Sequence, residues 1–166
     1  MNVTPARAAV AATAVVVAVV LQGTLLARLP LPGGSPNLVL VLVLGVGLAA
    51  GGSAGMSVGF AAGLLTDLLS EHPVGLLALC FALAGFTAGL LETDADRSVL
   101  WPLLIVGVGA TGTYLIYFGL LALLDEPAAG GLGDLPSTVI YDLMLTPFVV
   151  PVVAAVTRRL DVESRR

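Results

Sequence analysis

Four residues in this chain are of types that often do chemistry, and all four lie in or beside apolar stretches. Asp67 and Asp142 are carboxylates within apolar runs, His72 is the only histidine, and Cys80 is the only cysteine. A structural metal site needs about three or more converging ligands, and a hydrolase needs a recognisable nucleophile motif. Neither pattern surrounds these residues. The sequence therefore predicts no catalytic residue, no cofactor, no metal site and no enzyme activity.

The composition indicates that these residues are surrounded by a lipid bilayer. Of the 166 residues, 58% are hydrophobic and only 11% are charged, whereas a soluble domain is about 25% charged. The mean hydropathy is +1.05. A single cysteine cannot form a disulfide framework, and no nucleic-acid partner is predicted. We therefore expect an all-α, polytopic integral membrane protein with one transmembrane domain over residues 1–166.

Six apolar runs predict a bundle of about six transmembrane helices. The first run has about 19 residues, which is longer than the apolar core of a signal peptide at about 7–15 residues. A retained helix is therefore favoured over a cleaved signal. The predicted helices cover residues 8–26, 37–50, 54–69, 74–91, 99–124 and 138–156, followed by a short basic tail over 157–166.

The second and third runs are short for a hydrocarbon core of about 30 Å. Gly51-Gly52-Ser53 separates them. They could form two short helices in a tight hairpin, or one long helix broken at the glycines. Because their combined length exceeds one ordinary span, the hairpin is favoured.

The arginines predict which end of the bundle faces the cytoplasm, since cytoplasmic loops are enriched in basic residues. With six spans and a cytoplasmic start, only Arg28 among the seven basic residues lies outside. Five spans with an external start give the same imbalance, so the number of spans stays open. Both arrangements place the 70–73 turn and the 125–136 loop outside. Both place the 92–98 loop and the C-terminus in the cytoplasm.

Three further residues are predicted to anchor the bundle at the membrane surface. Arg158 and Arg159 follow the last apolar run and would face anionic lipid. Trp101 lies at the start of the fifth run, where amphipathic aromatic rings prefer the interface. His72 lies in a short polar turn and is expected to be solvated.

Glycines recur every four residues through the second and third predicted helices. Steps of four follow one face of a helix, and glycine faces let helices approach closely in lipid. Such a face could pack inside the bundle, which is its general use, or it could contact another protein. The series is Gly47, Gly51, Gly55, Gly59 and Gly63, and Gly85 and Gly89 repeat the spacing on the fourth helix.

The next step of the glycine series is Asp67, near the predicted outer end of its helix. Asp142 lies near the outer end of the last helix, so both acids are expected at about the same depth. Each could reach the headgroup region, or it could make a polar contact inside the bundle or with a partner helix. The predicted helix-packing or partner interface comprises Gly55, Gly59, Gly63, Asp67, Gly85, Gly89 and Asp142.

Together these residues resemble the family of rod shape-determining membrane proteins called MreD. The resemblance covers about residues 36–158 and is most specific over 55–89, whereas 99–136 agrees only in hydropathy. Asp142 departs from the family, whose members often carry asparagine there. The matching features are Pro36-Asn37-Leu38, Gly55-x3-Gly59-Phe60-x2-Gly63-Leu64-Leu65-x-Asp67-Leu68-Leu69, Pro73-x-Gly75-Leu76-x-Ala78-Leu79, Gly85-Phe86-x2-Gly89, Tyr141, Pro147 and Pro151.

The resemblance implies a multi-pass protein of the bacterial plasma (inner) membrane that acts as a non-catalytic scaffold of cell-wall elongation. It implies binding to the bitopic protein MreC, and through it a link to MreB, the glycosyltransferase RodA and a class B penicillin-binding protein.

Two other functions stay open. The family also looks like the substrate-binding subunits of energy-coupling-factor vitamin transporters, so a small-molecule-binding subunit is the alternative. The predicted outer loops offer few side chains for a ligand pocket, which weighs against it. A flippase or other lipid-handling protein is a third possibility.

Overall fold

The computed structural model is an all-helical bundle, which confirms the predicted fold class. It describes residues 5–26, 31–70, 73–91, 100–126 and 131–163. His72, the 92–98 loop and the arginines Arg28, Arg97, Arg165 and Arg166 lie outside the described residues. The helices are α1 (Pro5–Thr24), α2 (Leu38–Ala50), α3 (Gly52–Leu68), α4 (Leu76–Leu90), α5 (Leu100–Leu123) and α6 (Leu135–Glu163), with a 3-10 turn over Leu132–Asp134.

The helices differ in length in a way that matters for a membrane protein. Arg7–Thr24, Leu100–Leu123 and Leu132–Leu160 are each long and apolar enough to cross a bilayer. α2 and α4 are apolar but have only 13 and 15 residues, or about 20 Å of helix each at about 1.5 Å per residue. Short helices place their unpaired terminal N–H groups below the membrane surface, where these groups need partners.

The short helix α2 forms the centre of the bundle. Its residues from Val39 to Gly45 are all buried, and it contacts each of the other five described helices. A helix that is apolar on every side must be covered on every side. This explains the unbroken run of leucine and valine in the second predicted helix.

α2 and α3 form a tight hairpin with Gly51 as the only residue between them. Gly51 has φ 86° and ψ 170°, a conformation that favours glycine. A Cβ built on Gly55 would lie 2.8 Å from the Cα of Gly47. Residues eight apart in one continuous helix are about 12 Å apart, so the chain reverses at Gly51. The alternative of a single broken helix is wrong.

Three connections lie at one end of the bundle. The hydroxyl of Ser137, in the first turn of α6, donates to the carbonyl of Gly33 in the α1–α2 loop. Asn37, at the start of α2, lines a cavity together with Thr66 near the end of α3. The α2–α3 hairpin is therefore at the opposite end of the bundle. The number of membrane crossings stays a prediction.

The helix boundaries agree with the predicted ones within three residues, except at the end of α6. α6 continues to Glu163 and contains Pro147 and Pro151 in its interior. Arg158 and Arg159 therefore lie on this helix, exposed, and not in the short tail that the sequence predicts.

Candidate functional site: the capped end of the bundle and a glycine seam

Asp67 lies in the last turns of α3, but its side chain binds the first turn of α4. The carboxylate accepts hydrogen bonds from the backbone N–H groups of Gly75 (2.8 Å), Leu77 (3.2 Å) and Ala78 (3.1 Å). The side chain is fully buried. The first N–H groups of a helix have no partner within the helix, and they favour an anion. Asp67 therefore caps α4 from the preceding helix of the hairpin.

Asp142 plays the same part for α2 from a distant position in the chain. One carboxylate oxygen accepts the backbone N–H of Asn37 at 2.6 Å, and the other accepts the hydroxyl of Tyr114 at 3.0 Å. Asp142 is also fully buried. It therefore joins the start of α2 to α5 and α6.

Two more side chains complete the cap of α2. The Gln22 side-chain oxygen, on α1, accepts the N–H of Val39 at 3.0 Å, and the Asn37 side-chain oxygen accepts the N–H of Leu40 at 3.0 Å. Three N–H groups at the start of α2 thus have acceptors from α6, from α1 and from Asn37 itself. We call the end of the bundle where Asp67 caps α4 and Asp142 caps α2 the capped end.

The predicted polar contacts of the two acids therefore lie inside the bundle. Both acids lie at the capped end, and each binds the start of a different short helix. The sequence left a headgroup position open for both, and the complete burial of both side chains excludes it. The arginine distribution predicts that this end faces outward.

A glycine seam joins α3 to α4. A Cβ on Gly59 would lie 2.6 Å from the carbonyl carbon of Phe81, and one on Gly63 would lie 2.5 Å from the Cα of Ala78. Real Cβ atoms essentially never come closer than 3.0 Å, so these positions require glycine unless the helices separate. The seam consists of Gly55, Gly59 and Gly63 on α3 and Gly85 and Gly89 on α4.

The structure thus brings the predicted glycines and Asp67 together between two helices of one hairpin. Asp142 lies apart from them, on α6. Because α4 covers the seam, the seam does not form an open groove on the surface of the bundle. A contact between these glycines and a partner protein stays a prediction.

The predicted interfacial residues differ in their surroundings. Arg158 and Arg159 are exposed. Trp101 is only partly exposed and packs against the hydrophobic core, and its indole nitrogen is buried without a hydrogen-bond partner among the described residues. Anchoring of the bundle by these three residues stays a prediction.

The sequence did not reveal a cavity of about 350 Å³ at the capped end. Aromatic rings of Phe81, Tyr114 and Tyr117 line it together with hydroxyl and amide side chains. The predicted outer loops offer few pocket side chains, whereas most of the side chains that line this cavity come from helices. The Thr113-Tyr114-x2-Tyr117 spacing, which places polar groups on one side of an apolar helix, was the available signal. No group of three or more metal-ligating side chains occurs within the described residues.

A family model described as rod shape-determining protein MreD matches residues 7–124. The match includes α1 and the 99–124 stretch, where the residues suggested agreement in hydropathy alone, and it ends before α6. No curated protein and no solved structure matches the chain.

Proposed function

This chain belongs to the MreD family of rod shape-determining proteins, and we propose that it acts as a non-catalytic membrane scaffold of cell-wall elongation. Membership in the family implies a role in rod shape determination, and the family match over residues 7–124 is the observation that carries the proposal. The cellular location that we propose is the bacterial inner membrane, with the C-terminus in the cytoplasm.

The partner that we propose is a bitopic membrane protein of the MreC type. Through it, the chain would be linked to MreB, RodA and a class B penicillin-binding protein. In lipid, helices associate through close packing rather than through a hydrophobic effect. Because close packing needs complementary shapes, a surface of fixed shape favours binding of a single partner helix. The glycine seam supports such a surface by holding α3 rigidly against α4.

An exposed side of α3 beside the seam is a candidate for the contact itself. Met56 and Phe60 lie there and are 47% and 53% exposed. We propose that they contact the partner helix, and that the glycines act indirectly by fixing the position of α3.

Truncation of Phe60 tests this contact without disturbing the bundle. Replacing Gly59 or Gly63 by leucine would force α3 and α4 apart, so a loss of binding could not be assigned to an interface. Phe60→Ala is expected to reduce co-purification with the MreC-type protein about tenfold, as when loss of a buried interface aromatic costs about 1.4 kcal/mol. Cells that carry only this variant are expected to lose rod shape.

Phe148→Ala is the matched control, because Phe148 is 73% exposed but lies on α6. It should leave co-purification unchanged, and both variants should melt at the temperature of the parent protein. Normal co-purification and normal rods with Phe60→Ala would reject the proposed contact.

A small-molecule-binding subunit is the second candidate function, and the cavity at the capped end is the observation that favours it. Depletion separates the two candidates. Loss of rod shape in cells whose vitamin uptake is intact supports the scaffold. Loss of uptake in cells that stay rod-shaped supports the transporter subunit.

A further inference from the structure

Four of the side-chain hydroxyl groups on the helices around the cavity at the capped end present hydrogen-bond acceptors rather than donors. Each of four lining hydroxyls donates its proton to a backbone carbonyl of the preceding turn, at 2.7–3.0 Å. A hydroxyl has one proton and two lone pairs, so only lone pairs are left for a ligand. These hydroxyls belong to Thr66, Ser70, Thr113 and Thr138.

Other lining side chains extend this pattern. Tyr114 donates its proton to Asp142, so its oxygen also presents a lone pair. The side-chain oxygens of Gln22 and Asn37 accept N–H groups of α2. The Asn37 NH₂ group is hydrogen-bonded to the Tyr114 oxygen, so the NH₂ group of Gln22 and the second N–H of Asn37 are left to donate. A ligand that both donates several hydrogen bonds and accepts one would match these walls.

The charges near the cavity favour a cation. Asp134 lines it directly, and the buried carboxylates of Asp67 and Asp142 lie at the same end of the bundle. Asp67 is offset by a helix N-terminus equivalent to only about half a positive charge. The described lining residues include no arginine. Aromatic rings such as those of Phe81 and Tyr117 also attract cations through their faces.

We propose that this cavity binds a protonated primary amine that also carries a hydroxyl or ester oxygen. The ammonium group would donate to the threonine and tyrosine oxygens, and the ligand oxygen would accept from Gln22 or Asn37. At about 350 Å³, the cavity is at the small end of ligand sites, which span about 300–1,000 Å³. Such an amine occurs in free amino alcohols and in ethanolamine headgroups of lipids. The proposal does not depend on the scaffold function.

Three probes of similar size test the charge preference on the full-length protein in detergent. Ethanolamine is a cation at about pH 7, ethylene glycol is uncharged, and glycolate is an anion. Ethanolamine is expected to raise the melting temperature in a saturable manner, and the other two are expected to leave it unchanged. An equal shift with ethylene glycol, or a larger one with glycolate, overturns the proposal.

Isosteric variants test whether the hydroxyl lone pairs make the contact. Thr66→Val and Thr113→Val keep the side-chain shape and remove the acceptor, and each is expected to weaken ethanolamine binding about tenfold. Thr87→Val is the control, because Thr87 donates to its own helix in the same way but is exposed outside the cavity. Unchanged binding by both cavity variants overturns the proposal. If neither folds, Asp134→Asn is tested, with weaker binding expected.

Reconstitution distinguishes the two sources of the amine. Vesicles of phosphatidylethanolamine are compared with vesicles of phosphatidylglycerol. If a lipid headgroup fills the cavity, the first vesicles alone raise the melting temperature and free ethanolamine adds nothing to them. If a solute fills it, free ethanolamine gives the same shift in both vesicles. If the melting temperature rises in none of these conditions, the proposal is overturned.

Discussion

Asp67 shows how a carboxylate can be accommodated near the end of an apolar helix. The dipole of α3 disfavours an anion at this position. The hairpin brings the N-terminus of α4 to the same place, and three N–H groups of α4 donate to the carboxylate. Because the Asp67 side chain is fully buried, the N–H groups need an acceptor as much as the acid needs donors.

Removal of this acceptor should destabilise the bundle strongly. In Asp67→Ala the N–H groups of α4 lose their partner, at a cost of about 3 kcal/mol or more. Asp67→Asn keeps one acceptor oxygen and should cost about 1–3 kcal/mol. The free energies can be compared by titration with a denaturing detergent. Asp134→Asn is the control, since Asp134 caps an exposed turn, and it should change stability by less than about 0.5 kcal/mol. Equal stability of all three variants would contradict a capping role.

The sequence predicts that the two acids lie at the same end of the bundle, but not which groups they bind. Spacing along each helix was enough to place Asp67 and Asp142 toward one end of the bundle. The partner of Asp142 is the N–H of Asn37, which is 105 residues away in the chain. Only the arrangement of α2 against α6 determines that contact. Composition and periodicity carry no information about such an arrangement.

Among the helices, the hairpin of α3 and α4 depends most directly on residue type. The four-residue spacing of glycine correctly predicted which face of α3 permits close approach. It could not predict that α4 would cover this face, because a periodic pattern identifies a face and not its neighbour. The short apolar α2 was likewise predicted as a helix, and its central position followed only from the structure.

A pair of glycine-to-alanine variants separates packing from helix propensity. In Gly63→Ala the new methyl group meets the backbone of Leu77 and Ala78, so we expect a loss of about 2 kcal/mol, typical of overpacking. Gly112 lies in α5, and no neighbouring atom lies within 4 Å of the position that a methyl group would take there. Gly112→Ala should therefore stabilise the protein by about 0.5–1 kcal/mol. Both changes in the free energy of unfolding can be measured by detergent titration. If both variants change it in the same direction, close packing at Gly63 is contradicted.

The whole molecule is an alternating bundle whose two ends differ in chemistry. The capped end carries the buried acids, the cavity and three of the connections. The opposite end carries the α2–α3 hairpin, and the exposed Arg158 and Arg159 follow on α6. The arginine count predicts that the capped end faces outward, whether the chain crosses the membrane five or six times. The structure adds that the α1–α2 loop lies at this same end. Because Ser35 is in this loop, the side of the membrane that Ser35 faces depends on the number of crossings.

Cysteine labelling in intact cells tests this orientation. The native Cys80 is 1% exposed, so the parent protein should stay unlabelled by a membrane-impermeant maleimide and serves as the blank. Ser35→Cys and Leu132→Cys lie at the capped end, where Ser35 is exposed and Leu132 is 62% exposed. Both should be labelled from outside. Arg159→Cys should be labelled only after the membrane is permeabilised. External labelling of Arg159→Cys would reverse the orientation. If Leu132→Cys is labelled from outside and Ser35→Cys is not, the α1–α2 loop is in the cytoplasm and the chain crosses the membrane five times.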